Sequence, residues 1–228
     1  MCGRYTLNTT GRDIASHFKL EVAPDVEPRY NVAPTQTLPV VRKPDEQTPR
    51  EAAEMRWGLI PFWADDPSIG NRMINARSET VHEKNAYRVA FSRRRCLVPA
   101  SGFFEWQKTG DGKQPWYFHH ADDELLGFAG IWEHWEDDET GEVIESYSIL
   151  TGEPNDTVSQ VHKRMPVTLL PGEYDFWLNP EVEDKKALHD LATTVFPSEM
   201  LTGYPVSTRV NSPKNDDASI LDRLESAG

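Results

Sequence analysis

The sequence predicts an α+β fold, a single domain with a strand-rich, barrel-like curled sheet at its core and helices at the periphery. Three observations lead there. Short apolar runs recur along the chain: "TLPVV", "MRWGLIPFW", "RCLVPASGFFEW", "PWYFHH", "LLGFAGIW" and "SYSILT". They are rich in β-branched and aromatic residues and read as strands. Helical patterns are few and scattered between them. The chain has 228 residues, 38% hydrophobic and 27% charged, which is enough to bury a substantial globular core.

Taken in order, "GRDIASHFK" at residues 11–19 reads as a short helix, with Ile14 and Phe18 four apart on one face. "KTGDGKQ" between two strand runs has the glycine-rich chemistry of a hairpin loop, and "DDETGE" is a second hairpin. Helices are expected over "SETVHEKNAYRVAF", "NDTVSQVH" and "DKKALHDLATTV". No repeat or low-complexity linker divides the chain. The domain is expected to span 1–228, with its core at about 2–216 and a peripheral tail at 217–228 whose end is mobile.

The formal charge is −13. Taken whole, that disfavours nucleic acid, because phosphate binding needs Lys and Arg. The distribution is uneven, however. Residues 122–145 hold ten acids and no Lys or Arg, which fits a solvated hairpin. Residues 72–95 hold seven bases against Glu79 and Glu83, a local balance of +5 compatible with an anionic ligand. No run approaches a membrane helix, no secretory signal is visible, and two cysteines make neither a disulfide framework nor a C-x-x-C metal pattern. A reducing, cytoplasmic setting is expected, without membrane or metal.

Cys2 stands directly behind Met1, and a small residue at that position permits Met1 removal. The product would carry an α-amine of pKa about 8 and a thiol of pKa about 8.5 on adjacent carbons. Such a pair condenses with an aldehyde and closes a five-membered thiazolidine ring. The position fits a small buried residue equally well. In "NARSET", alternation in an extended stretch puts Asn75 and Arg77 on one face, an amide beside a five-donor fork. A helix cap by Asn75 or Ser78 is the other reading. Glu105 sits among Phe103, Phe104 and Trp106. Desolvated, it would be a general acid and base near neutral pH; otherwise it is an outward strand residue. In "VHKRMPV", His162 and Arg164 alternate, and the histidine is either a proton shuttle or structural. "RWGLIPFWA" supplies Trp63, which stacks unpaired bases if exposed and is core if buried.

Together, "MCGRYTL", "YNVAPTQ", "RWGLIPFWA", "NARSET", "RCLVPASGFFEW", "HKRMPV" and "VSTRVNSPKND" resemble, in order and content, the SRAP family of SOS-response-associated peptidases, the abasic-site processing proteins. The resemblance runs from Cys2 to about Asp216. It implies a DNA cleft and a Cys2 that, freed of Met1, captures the aldehyde of an abasic site in single-stranded DNA as a thiazolidine crosslink. It also implies autopeptidase and AP-lyase chemistry, no cofactor, no metal, and a monomer that is nucleoid-associated when acting on DNA. By motif, Asn75 would bond around the Cys2 adduct, Glu105 would move protons through the imine, and His162 would stand beside the reacting carbon. Arg4, Arg77 and Arg164 would contact the DNA backbone, Trp63 would stand at the cleft, and Asn31 would scaffold the Cys2 pocket. Two rivals are an N-terminal-nucleophile peptidase or amidohydrolase without a DNA role, and a non-catalytic single-stranded DNA binder with Cys2 inert.

Overall fold

A computed structural model describes residues 2–110 and 112–224. The end of the expected tail, residues 225–228, lies outside the described residues, as does Asp111 of the first hairpin loop. The chain runs β1 (Tyr5–Leu7), α1 (Gly11–Phe18), β2 (Arg29–Val32), β3 (Thr37–Arg42), β4 (Glu51–Trp57) and β5 (Asn75–Arg77). It continues through α2 (Arg88–Arg93), β6 (Arg95–Ala100), β7 (Gly102–Thr109), β8 (Gly112–His120), β9 (Leu126–Glu136) and β10 (Val143–Gly152). It finishes with α3 (Asp156–Ser159), β11 (Met165–Pro166), β12 (Thr168–Leu169), α4 (Tyr174–Leu178), α5 (Lys185–Thr193) and β13 (Leu201–Pro205).

Five strands close on themselves in the order β10, β4, β3, β6, β9 and back to β10, so the expected curled sheet is a closed barrel. Closure removes the open edges that a flat sheet would expose. The β9–β10 and β3–β4 pairs are antiparallel, whereas β4 and β5 both lie parallel to β10. A second, antiparallel sheet of five strands, in the order β13, β8, β7, β1, β2, lies against it. Tyr5, Trp57, Phe128 and Tyr147 fill the barrel interior, and the Tyr5 and Tyr147 hydroxyls share a hydrogen bond of 2.8 Å. Pairing satisfies two polar groups that burial would otherwise leave orphaned.

Local chemistry explains most elements. Thr10 and Asp13 form a reciprocal capping box at the start of α1, and Ile14 and Phe18 are buried as their spacing predicts. Both expected hairpins are present, with Thr109 opposite Gly112 and Glu136 opposite Val143. Gly130 lets Cys96 pack on β9, since a Cβ there would lie 2.8 Å from the Cys96 sulfur.

Three expectations need correcting. "SETVHEKNAYRVAF" is helical only over α2, because residues 78–87 are drawn into turns. The Ser78 N–H bonds to the Thr151 carbonyl at 3.0 Å, and the Tyr87 hydroxyl bonds to the Asn75 carbonyl at 3.3 Å. "MRWGLIPFW" stops being a strand at Trp57. Gly58 takes a φ of +125° there, with the Gly70 carbonyl only 2.4 Å from where a Cβ would stand. The acidic run is a hairpin, as expected, but not wholly solvated. Glu133 is buried against Arg94 at 2.7 Å, and Glu145 meets Arg42 at 2.7 Å.

Candidate active site

The pairing of β1 with β7 builds the centre of the site. Tyr5 lies opposite Phe103 and Thr6 opposite Gly102, and the Phe104 N–H donates to the Arg4 carbonyl at 3.0 Å. Carried one step on, that register sets Glu105 against Gly3, beside Cys2. Cys2 is fully buried, its thiol 3.8 Å from the Arg4 carbonyl. Burial, and next the charge of Glu105, push the thiol pKa up. A thiol so shielded is inert as it stands and must hand its proton to a base before it reacts.

Glu105 is only 2% exposed, and burial raises its carboxyl pKa from the ordinary 4.5 to about 7. Its position in an aromatic run is therefore the desolvated one, not the outward one. His162 Nδ1 lies 3.5 Å from Glu105 Oε2. The same ring nitrogen lies 2.9 Å from the Arg164 carbonyl. The Arg164 N–H also points at Nδ1, from 3.2 Å, so the Arg164 main chain offers this nitrogen a donor and an acceptor side by side and can hold the ring in either tautomer. Burial lowers the imidazole pKa, which favours the neutral ring at physiological pH.

Asn75 enters from β5. The parallel pairing of Asn75 with Ile149 fixes its place, and Nδ2 donates to the Cys2 carbonyl at 2.7 Å. Among the described residues its buried Oδ1 has no partner. Cys2, Asn75, Glu105 and His162 are thus gathered at one place from four separate segments.

The remaining candidates divide. Arg4 turns inward, with Nη1 donating to Asn31 Oδ1 and to the Val210 carbonyl, both at 2.8 Å. Asn31, fully buried, returns Nδ2 bonds to the carbonyls of Val210, Ser212 and Asn215. The pair ties the N-terminal segment to the segment around residues 210–215. Arg77 is exposed on β5 beyond the buried Ala76, on the face that alternation assigns to Asn75. Arg164 is engaged by Glu79 through both fork nitrogens. Trp63 is 51% exposed, and beside it Phe62, which the sequence reading passed over, is 57% exposed. Of the seven bases at 72–95, Arg94 is paired with Glu133, and Arg95 is buried against the carbonyls of Phe91, Ser92, Trp177 and Asn179. Arg72, Arg77, Lys84, Arg88 and Arg93 remain exposed.

No group of three or more His, Cys, Asp or Glu among the described residues is arranged to hold a metal ion. Among them, too, no helix is long and apolar enough to cross a membrane.

A small closed barrel that gathers a buried cysteine, a desolvated carboxyl and an imidazole at one place is the class that fold and side chains define together. The chain belongs to the SRAP family, described as SOS response associated peptidase (SRAP), whose profile matches residues 1–213. The abasic site processing protein YoaM of Bacillus subtilis (strain 168) is 37% identical over 226 residues, covering 97% of this chain and 98% of that protein. The abasic site processing protein HMCES of Gallus gallus is 35% identical, covering 87% of this chain and 67% of that protein. A crystal structure from Bacteroides thetaiotaomicron is 28% identical, covers 98% of this chain and 100% of that one, and superposes with a TM-score of 0.85.

Proposed function

We propose that this chain processes abasic sites in single-stranded DNA by covalent capture on Cys2 once Met1 is gone. One observation carries the reading. The cysteine that becomes the N-terminus lies beside a carboxyl with a pKa of about 7 and a largely neutral imidazole. The names of the relatives, abasic site processing proteins, agree with it.

The chemistry runs as follows. The freed α-amine adds to the aldehyde carbon of the ring-opened sugar and gives a carbinolamine. Glu105, protonated, gives its proton to the departing hydroxyl, which leaves as water, and an iminium forms. The thiol then adds to the iminium carbon and its proton passes to the Glu105 carboxylate. Amine, thiol and aldehyde become a thiazolidine and one water, and Glu105 ends as it began. Asn75 holds the Cys2 carbonyl, so the amine is presented in a fixed direction. His162 serves imine formation and its reversal from beside the reacting carbon. Ring closure removes the imine, the species that otherwise goes on to β-elimination and strand cleavage, the lyase outcome.

Arg77 and the other exposed bases at 72–95 supply the local positive charge that a −13 chain otherwise lacks. Trp63 offers a face for an unpaired base. A peptidase activity in which the chain itself releases Met1 belongs to the same proposal. So does action as a monomer in the cytoplasm, at the nucleoid when on DNA.

The test is incubation with single-stranded DNA carrying one abasic site, followed by denaturing gels and intact mass measurement. A heat-stable adduct that is lost in Cys2→Ala is expected. Correctly processed protein that forms no adduct overturns the proposal.

A further inference from the structure

We propose that Glu79 is a positioning residue for His162, acting through Arg164. The proposal rests on the abasic-site reading above and adds a residue to its site. The geometry is a relay of two contacts. The Glu79 carboxylate takes both fork nitrogens of Arg164, with Nη2 to Oε2 at 2.9 Å and Nη1 to Oε1 closer still. Nη2 also donates to the Thr151 carbonyl on β10. Arg164 in turn holds His162 with its own main chain, its carbonyl 2.9 Å and its N–H 3.2 Å from Nδ1.

Glu79 is itself anchored. Its carbonyl accepts from His189 Nε2 on α5 at 3.3 Å, and the Ser78 N–H before it donates to the Thr151 carbonyl at 3.0 Å. The Arg164 bonds hold the Glu79 carboxyl pKa below its ordinary value, so the pair stays charged at neutral pH. A bidentate pair has one preferred geometry, so it holds Arg164 in place and with it the main-chain groups that orient the His162 ring. The pair also occupies the fork that the family resemblance assigns to the DNA backbone. In the unbound chain Arg164 is a brace, and the exposed Arg77 remains for a phosphate.

Glu79→Gln and Arg164→Lys test this, the second keeping the charge but losing the fork. Three readouts are compared with the wild type: the rate of crosslinking to abasic single-stranded DNA, affinity for the same DNA without the lesion, and the nitrogen chemical shifts of His162. Capture is expected to slow about tenfold to a hundredfold in both variants, the scale of a misplaced catalytic group. Affinity is expected to hold in Glu79→Gln. The His162 shifts are expected to move away from their wild-type values as the ring loses its fixed surroundings. In a His162→Ala background Glu79→Gln is expected to cause no further loss. Unchanged His162 shifts, or a full additional loss in that background, overturn the proposal. So does tighter binding of intact DNA with a salt slope steeper by about 0.7, which would make Glu79 a lock on a phosphate-binding arginine. If no crosslink forms at all, the abasic-site reading fails, and the nitrogen shifts still decide the positioning role.

Discussion

His162 Nδ1 stands 3.5 Å from Glu105 Oε2, and burial moves the two groups in opposite directions, the carboxyl up to about 7 and the imidazole down. A proton donor and a neutral imidazole therefore coexist near pH 7. In the proposed mechanism, capture needs Glu105 protonated and the α-amine of about pKa 8 unprotonated. The rate should trace a bell with its maximum between about pH 7 and 8, measured by quenched time courses on abasic single-stranded DNA. Glu105→Gln should slow capture about a hundredfold and remove the alkaline limb, with little change in DNA affinity.

The raised carboxyl also bears on stability. Between its ordinary 4.5 and about 7, folded Glu105 binds a proton that the unfolded chain has released. Folding stability therefore falls as pH rises through that window, and the cost is complete above it. Glu105→Gln should be more stable than wild type by roughly 1–3 kcal/mol at pH 8 and nearly equal at about pH 4. Denaturant melts at the two pH values check this, and equal stabilities at pH 8 would contradict the desolvated reading.

Cys2→Ser separates the two nucleophiles. The variant keeps the amine and loses the thiol that closes the ring. Borohydride should trap an imine with abasic DNA, and strand cleavage should rise above the wild-type level. An adduct as heat-stable as the wild-type one would refute ring closure.

Trp63 and Arg77 are expected to make different contributions to DNA binding. Trp63→Ala should weaken binding of single-stranded DNA by about 1–3 kcal/mol without lowering thermal stability, because its ring is already half in solvent. Arg77→Ala should reduce the salt dependence of binding by about 0.7 of a logarithmic slope unit. Fluorescence anisotropy across a salt series reads both.

Most of the candidate site was legible in the sequence because each candidate group lies in a short, self-contained motif. Cys2 announces itself by position, and Asn75, Glu105 and His162 by the blocks around them. Strands and hairpins followed from apolar runs and turn residues, as at residues 109–112. What stayed hidden depends on contacts between distant segments. The Arg164 fork is filled by Glu79, 85 positions away, a pairing that neither motif shows by itself. Arg4 likewise turned inward to Asn31. Barrel closure rests on parallel pairing of β10 with β4, some ninety residues earlier, which no local pattern marks. Phe62 was missed because "IPFW" reads as the end of a buried strand, whereas the strand ends at Trp57 and the chain surfaces at Phe62 only after the buried Leu59, Ile60 and Pro61.

The central claim is that amine and thiol of one residue take the same carbon. Peptide mapping of the crosslink by tandem mass spectrometry tests it most directly. The account predicts an N-terminal peptide that lacks Met1 and carries the sugar remnant on Cys2. Its mass should be the sum of the partners less one water, and Cys2 should no longer be open to alkylation. A sugar remnant on any other residue, or a Cys2 thiol that still alkylates within the crosslinked peptide, would contradict it.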